Sequence, residues 1–489
     1  MSTPTPLLIG WSEGDITPVV LPAFIAGQFH MRLSEGVDDP LKVTALAMEN
    51  GEDQVIFAAC DLVVIPDELR DAVRALLATA GFDANKIVFN ATHTHTGPEI
   101  RVRTTKSDLS QPDGSGIHLE GASIQDYLDY AAQTIADTIA QAWAARQPGS
   151  VAYGQGDAVL ARNRRWFNTE NKATMYGLHA GTADVFSHVE GYEDHSVNLL
   201  ATYDQAGALT GLLVNVPCPS QVREMEYVIS ADYWHDTRQM LRARWGENLF
   251  ILPQCSAAGD QAPRPIFERE ANQRMQRLRG ENGCQEIARL IADVVERVLP
   301  VIESEKQSVL ELQHQVTTLE LPAIPLNEQH VAQALEEAQN WRKLYEEEVH
   351  RLEASPELKK EPRWYVPVTK AFRRMNWYAN VETRFHEQVN SPTVATEIHV
   401  VRLGDIAFAS VPFEYYLDFG IRIKVKSPAL QTFLVQLSGG GTYVPSERSV
   451  AGGGYGSIPA SNPIGPDGGN EMAHYIVDTL REQFERQTS

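Results

Sequence analysis

Two histidines, His93 and His95, are the residues of this sequence best placed to do chemistry. They lie in segment 90–98, NATHTHTGP, directly after the apolar run 86–89. The run is typical of a buried strand that turns at Gly97 and Pro98. Because residues i and i+2 of an extended chain share a face, we expect both imidazoles to project from the strand's C-terminal end. They can then share a metal ion or divide metal binding and proton transfer, or else be hydrogen-bonded structural histidines.

The elements before this motif predict a partly parallel α/β sheet. Residues 41–49 and 54–60 read as strands joined by a turn at Asn50 and Gly51. Pro66 opens a predicted helix that runs to Ala80, and the histidine strand follows it. This strand–helix–strand order indicates an α/β fold of mixed β-sheets flanked by helices.

Later segments continue the same pattern. A helix capped by Ser123 is predicted to about Arg146, and residues 197–203 and 209–216 are predicted to form a hairpin. A further helix is expected from Ser230 to Trp245. The polar stretch 104–121 has no periodicity and is expected to be a long loop beside the histidine pair.

Composition limits the class of protein. The chain has 489 residues, 43% of them hydrophobic, and a formal net charge of −22. This charge argues against nucleic acid or an anionic membrane as partner, and no apolar run is long enough to span a membrane. Four widely separated cysteines and no signal sequence lead us to expect a reduced, cytoplasmic protein.

The domain organisation is expected to be simple. No linker divides the chain, so residues 1–489 are predicted to form one domain. Within it, residues 327–390 are expected to be a charged helical insertion. Its sparse apolar face predicts a solvated surface helix or hairpin, or a contact in a homo-oligomer or scaffold.

Beyond the histidines, short motifs follow one another in the order found in a known family. Segment 90–98 closely resembles the histidine motif of the neutral/alkaline ceramidases. Four other stretches are similar to motifs of that family: Asn163-Arg164, residues 258–263 (AGDQAP), residues 411–414 (VPFE), and residues 441–445 (GTYVP) with Tyr455. The resemblance covers residues from about Gly10 to Gly456 and implies a neutral-ceramidase-like catalytic domain.

The resemblance implies a Zn²⁺-dependent amidohydrolase. It assigns His93, Glu414 and Tyr443 to the zinc ion. His95 is expected beside the substrate or the attacking water, Tyr455 at the substrate, and Asp260 in the loop that orders the site, and we group these three as catalytic candidates. The expected substrate-binding residues are Arg164, Asn163 and Trp166.

Three departures from the family pattern stand out. The family's second zinc-ligating histidine is missing from residues 216–220 (VPCPS). His235, on the first turns of the following helix, is the preferred replacement; Cys218 as a thiolate ligand and a structural role for His235 are the alternatives. The family serine is replaced by Ala262. No C-terminal immunoglobulin-like domain is expected.

These departures argue against ceramide as the substrate. We therefore predict a hydrolase that uses metal-activated water to cleave an amide or glycosidic bond in a soluble polar small molecule, such as a sugar or an N-acyl compound. Trp166, Tyr192 and Trp234 are candidates to stack on a sugar ring. The alternative is a non-catalytic relative that binds a metal or a ligand.

Overall fold

The computed structural model describes residues 6–101, 117–178 and 180–485, in which two large β-sheets pack face to face between layers of helices. The strands are β1 Leu8–Asp15, β2 Lys42–Glu49, β3 Gln54–Cys60, β4 Ile87–Ala91, β5 Gln147–Asp157, β6 Arg162–Asn163, β7 Arg165–Asn168, β8 Ala173–Met175, β9 Phe186–Val189, β10 Ser196–Asp204, β11 Leu209–Val216, β12 Phe250–Cys255, β13 Gln261–Ala262, β14 Leu312–Pro322, β15 Thr393–Leu403, β16 Ile406–Ser410, β17 Glu414–Tyr415, β18 Gln431–Val435 and β19 Tyr443–Val444. The helices are α1 Asp67–Leu76, α2 Ile124–Ala144, α3 Tyr233–Trp245, α4 Arg269–Arg279, α5 Gly283–Ile302, α6 Glu328–Ala354, α7 Val366–Glu387, α8 Leu417–Lys426, α9 Glu447–Gly452 and α10 Pro466–Glu485.

The first sheet has eight strands in the order β12-β11-β10-β5-β1-β2-β3-β4. The predicted hairpin across Asn50 and Gly51 is confirmed, with β2 and β3 antiparallel. Helix α1 then carries the chain to β4, which pairs with β3 in parallel, as the strand–helix–strand order predicts. The second predicted hairpin is β10 and β11, and β11 pairs in parallel with β12. The sheet is therefore mixed, with a parallel pair at each end.

Alternation along β3 shows how the layers form. Ile56 and Ala58 face the helices α1 and α2, whereas Val55 and Phe57 face the second sheet. Successive side chains of a strand point to opposite faces, so a strand buried on both sides is apolar throughout. The Phe57 ring lies 4.8 Å from that of Phe408, which ties the two sheets together.

The second sheet has the order β14-β15-β16-β18, with β16 and β18 parallel. Its outer face is covered by α8 and α10, and the β10–β12 end of the first sheet is covered by α3 and α5. The layer order is helix, sheet, sheet, helix, so the predicted fold class is confirmed.

One predicted helix boundary is confirmed and another differs in the structure. Helix α2 begins after Ser123, whose hydroxyl accepts from the Asp126 amide at 3.2 Å, as expected. Helix α1, in contrast, ends at Leu76 and not at Ala80, and Leu77 packs against the core from the turn that follows. Residues 102–116 of the predicted loop lie outside the described residues.

The charged stretch folds into α6 and α7, which pack against each other. Val368 of α7 and Leu352 of α6 are buried with Met31 in a small separate core. Helix α7 thereby lies over the same edge of the molecule as the histidine motif. Within the described ranges, the helices are too short or too polar to cross a bilayer.

Candidate functional site

A cavity of about 530 Å³ opens where β4 ends, at the edge where open α/β sheets place ligands. His93 and His95 line it from the motif that follows β4. Glu414, Tyr443 and Tyr455 line it from the C-terminal third of the chain. The structure thus brings together five residues, of which the first and last, His93 and Tyr455, are 362 positions apart in the sequence.

The two histidines meet, although not by strand alternation. Strand β4 ends at Ala91, and His93 has a left-handed backbone conformation with φ of 65°. The hydroxyls of Thr94 and Thr96 both donate to the Ser230 carbonyl, at 2.7 and 2.9 Å, and this fixes the turn. The result is a distance of 3.2 Å between the Nε2 atoms of His93 and His95. The predicted strand to Gly97 is therefore wrong, but the predicted convergence is confirmed.

Hydrogen bonds fix the tautomers of both rings. His93 Nδ1 lies 2.8 Å from the Val63 carbonyl, which only accepts, so the ring proton is on Nδ1. Arg164 Nη1 donates to Gln221 Oε1 at 3.1 Å, which leaves the Gln221 amide N–H to donate to His95 Nε2 at 2.8 Å. The Nε2 atoms of the two rings consequently face each other across 3.2 Å.

Glu414 adds an acidic oxygen to this pair. Strands β17 and β19 are parallel, with Glu414 opposite Tyr443, and Glu414 Oε2 lies 3.4 Å from His93 Nε2. Burial alone would raise the pKa of Glu414, but His93, Arg164 and a hydrogen bond from Tyr443 lower it below its ordinary value of 4.5. The carboxylate is therefore ionised at neutral pH.

Arg164 supplies a fixed positive charge behind the cavity. Its side chain is 2% exposed, and Nη2 donates to the Gly259 carbonyl at 2.7 Å and to the Tyr443 hydroxyl at 3.2 Å. The same nitrogen lies 3.6 Å from Glu414 Oε2. Because so many acceptors surround it, the guanidinium orients Tyr443 and Glu414 in one arrangement.

Burial and neighbouring charges set the protonation of the remaining groups. Burial, and then the neighbouring His93, hold the pKa of His95 well below its ordinary value, so the ring is neutral. Burial and Glu414 raise the pKa of Tyr455 to about 12 and that of Tyr443 well above its ordinary value. Both phenols are therefore donors at neutral pH.

The donor set suits a cation. In residues 6–101, 117–178 and 180–485, no three His, Cys, Asp or Glu side chains are arranged to hold a metal ion by themselves. The cluster combines His93 Nε2, the Glu414 carboxylate and the Tyr443 phenol, with His95 Nε2 adjacent. The carbonyl partner on His93 Nδ1 is the support that metal-ligating histidines usually have. Nitrogen and oxygen donors of this kind fit Zn²⁺, with the phenol in place of a more common ligand.

Asp260, Asn163 and Trp166 lie outside the cavity lining. The Asp260 carboxylate accepts from the Leu417 amide at 3.0 Å, at the start of α8, and from Asn163 Nδ2 at 2.9 Å. Its carbonyl also accepts from the Arg164 amide at 2.9 Å. Trp166 is buried and donates to the Tyr176 carbonyl at 2.7 Å. These contacts give the three residues a positioning role around Arg164.

The structure does not bring His235 or Cys218 to the cluster. His235 lies on α3 near the carboxylates of Asp39 and Asp236, and Cys218 Sγ is buried 3.5 Å from the Leu160 carbonyl. The side chain that reaches His95 is Gln221, three residues after Cys218. The segment 216–220 compared with the family ends one residue before Gln221. A polar residue soon after an apolar strand was the sequence signal that could have identified Gln221.

The other residues singled out from sequence also lie away from the cavity. Ala262 is buried in β13 and does not line the cavity. A serine hydroxyl at this position would therefore not be part of the cavity wall. Trp234 is 1% exposed, and Tyr192 is exposed beneath the Arg448 guanidinium. The aromatic side chains that do line the cavity are Phe29 and Trp377, with the two tyrosines.

Comparison with known proteins supports the fold. No protein-family model matches the chain, and no curated protein matches it. A solved structure of a ceramidase complexed with C2 is similar, with a TM-score of 0.67 and 16% identity over 99% of this chain and 76% of the ceramidase chain. The neutral ceramidase of Pseudomonas aeruginosa gives a TM-score of 0.65 and 17% identity over 99% and 75%. The chain therefore has the fold of the neutral ceramidases.

Proposed function

We propose that the chain is a metal-dependent hydrolase that cleaves an amide bond in a small polar substrate. The observation that carries the proposal is that His93 Nε2 lies 3.2 Å from His95 Nε2 and 3.4 Å from Glu414 Oε2. Nitrogen and carboxylate groups that converge in a buried site are stabilised by a cation between them. The ceramidase-like fold supports the same reaction class.

His93, Glu414 and Tyr443 would hold the ion, and His95 would lie beside it. When bound, Zn²⁺ lowers the pKa of a coordinated water and polarises a carbonyl group. His95 can accept the proton of an attacking water at Nε2 when the Gln221 amide N–H gives up its hydrogen bond to that nitrogen. Tyr455 keeps its proton and lines the cavity, so it can donate to the oxyanion that forms. Gln221 holds His95 in the required tautomer.

Metal analysis tests the ion. The purified chain is treated with chelator, supplied with Zn²⁺ and assayed for bound metal. We expect one ion per chain, and we expect His93→Ala to weaken binding by more than about 100-fold. His235→Ala is the matched control and should retain the metal. A loss of metal in His235→Ala with retention in His93→Ala would reverse the assignment.

A substrate screen tests the reaction. N-acyl amines and aryl glycosides of similar size are compared on the zinc-loaded chain. We expect release of the acyl group. Hydrolysis of the glycosides alone would assign the glycosidic bond, and tight binding of both classes without turnover would favour a non-catalytic relative. Since Ala262 lies outside the cavity lining, the absent serine hydroxyl does not argue against the amide.

A further inference from the structure

We propose that one face of α7 is the specificity wall of the cavity and receives a neutral, polyhydroxylated part of the substrate, such as a sugar ring. This inference rests on the proposed function, because it names the substrate of the same cavity. Its residues are Arg373, Asn376, Trp377, Asn380 and Arg384.

The spacing of these residues places them on one side of the helix. Intervals of three, four, seven and eleven residues bring side chains to a common helical face. All five line the cavity, whereas Val368 and Val381 of the same helix are buried in two small cores. Those buried contacts fix the rotation of α7, so the polar face is held towards the cavity.

An aromatic surface joins this wall to the reaction centre. The Trp377 ring packs edge-on against Phe29, with centroids 5.2 Å apart, and lies 5.8 Å from the Tyr455 ring. The Arg374 guanidinium lies 3.7 Å over Phe29 and holds that ring from outside. Rigid aromatic faces of this kind stack against the C–H face of a sugar.

The cations of the cavity are already engaged by the protein. Arg384 donates to the carbonyls of Pro459 and Asn462 at 2.6 and 2.9 Å. Arg101 forms two hydrogen bonds of 2.8 Å to Glu99, and Arg373 donates to the Gln28 carbonyl at 3.3 Å. Carbonyl oxygens do not neutralise a guanidinium group, but the carboxylates of Glu99 and Glu414 line the same cavity, so the lining does not favour an anionic substrate.

Neutral amide side chains also contribute hydrogen-bonding groups to the lining. Asn376 uses its Nδ2 within α7, donating to the Phe372 carbonyl at 3.1 Å. Asn462, 1% exposed, donates to the Gly456 carbonyl, and its Oδ1 has no partner among the described residues. Asn380 is exposed at the cavity wall. Amides offer a donor and an acceptor together, which matches adjacent hydroxyl groups.

Few side chains of the lining are aliphatic. The apolar ones other than the aromatics are Val63, Val64, Ala460 and Pro463. Two alkyl chains would need a continuous apolar wall, because each buried CH₂ contributes about 0.8 kcal/mol only when its surroundings are apolar. A sugar uses both parts of this lining, the aromatic faces and the amides.

The test compares matched acetamides that differ only in the group on nitrogen. Three N-acetylhexosamines (gluco, galacto and manno) are titrated into the full-length wild-type and Glu414→Gln chains, beside N-butylacetamide and N-acetylglycine. We expect at least one amino sugar to bind about tenfold more tightly than the alkyl and anionic compounds. Trp377→Ala and Asn380→Ala should weaken that binding about tenfold and about threefold. Glu382→Ala, an exposed change on α7 outside the cavity lining, should leave it unchanged.

Tighter binding of the alkyl or the anionic acetamide would overturn the inference. So would unchanged sugar affinity in both α7 variants, or no amino sugar binding below about 10 mM. Sugar binding without release of acetate would support the α7 wall while the proposed hydrolysis fails. Hydrolysis that prefers N-butylacetamide would support the proposed hydrolase function and contradict the inference that the substrate carries a sugar.

Discussion

Two buried histidine pairs with a neighbouring carboxylate lie among the residues that the structure describes, and they differ in how their nitrogens are used. In the cavity pair, His93 and His95 meet through Nε2 at 3.2 Å, with Glu414 3.4 Å from His93. In the second sheet, His314 Nε2 lies 2.9 Å from His399 Nδ1, and His399 Nε2 lies 3.0 Å from Glu397. The residue types are the same in both places.

The two pairs differ in how many of their ring nitrogens have hydrogen-bond partners. All four ring nitrogens of His314 and His399 have partners, and Glu397 also accepts two bonds from Arg74. In the cavity pair, His95 Nδ1 is buried without a hydrogen-bond partner among the described residues, and the Glu224 carboxylate lies 3.9 Å from it. A closed network stabilises the fold, whereas an unfinished one facing a cavity can bind a ligand. Partner count and access therefore separate a structural histidine pair from a functional one.

The same substitution at the two carboxylates gives the largest contrast. Glu414→Gln should lower kcat/KM by about 10³-fold or more, because it removes the negatively charged carboxylate that would bind the metal ion. Glu397→Gln should change kcat/KM by no more than about threefold. Steady-state hydrolysis of an N-acyl substrate measures both. Equal losses of kcat/KM in the two folded variants would contradict the assignment of one pair to function and the other to structure.

Stability should show the reverse order. His399→Ala should cost about 3 kcal/mol of the free energy of unfolding, since it leaves His314 and Glu397 without buried partners. His95→Ala, in chelator-treated protein, should cost about 1 kcal/mol because its network is already incomplete. Urea denaturation at pH 7 gives the two values. A larger cost for His95→Ala would show that the cavity pair also carries stability.

Gly27 offers a way to disturb the cavity pair without removing either imidazole. A Cβ at Gly27 would lie 2.7 Å from Cγ and Nδ1 of His95, and φ there is 93°. We expect Gly27→Ala to displace the His95 ring and lower kcat/KM about tenfold. Gly81→Ala, also at positive φ but with nothing within 4 Å, is the control for backbone strain. Equal losses of kcat/KM would contradict the steric explanation.

The smallest expected effect is a pH dependence of stability. Burial alone would raise the pKa of Glu397, but His399 and Arg74 hold it below its ordinary value of 4.5. Because the folded pKa is lowered, its stabilisation is present above about pH 4.5 and is lost as the pH falls below it. The urea midpoint of the wild type should therefore fall more steeply than that of Glu397→Gln between pH 5 and pH 3. Parallel curves would mean that the pair does not set the acid stability.

Local pattern predicted much of the fold. The hairpin at Asn50 and Gly51 and the helix after Ser123 follow from short-range turn and capping chemistry, which depends on neighbouring residues. The helix after Pro66 was predicted four residues too long because Leu77 packs against the core from a turn and so continues the apolar pattern beyond the end of the helix. Element ends depend on packing, which a local pattern does not contain.

The sequence by itself determined the two imidazoles, the carboxylate and the phenols, since residue type and motif order are local properties that fix which donors exist. The tertiary structure decided which donors meet. It replaced His235 by Gln221 beside His95, moved Asp260 into a supporting role, and turned a face of α7 into the cavity wall. It also decided that His314 and His399, 85 residues apart, form a closed pair. The physical reason is that hydrogen bonds and burial join residues across space, where separation along the chain carries no information about distance.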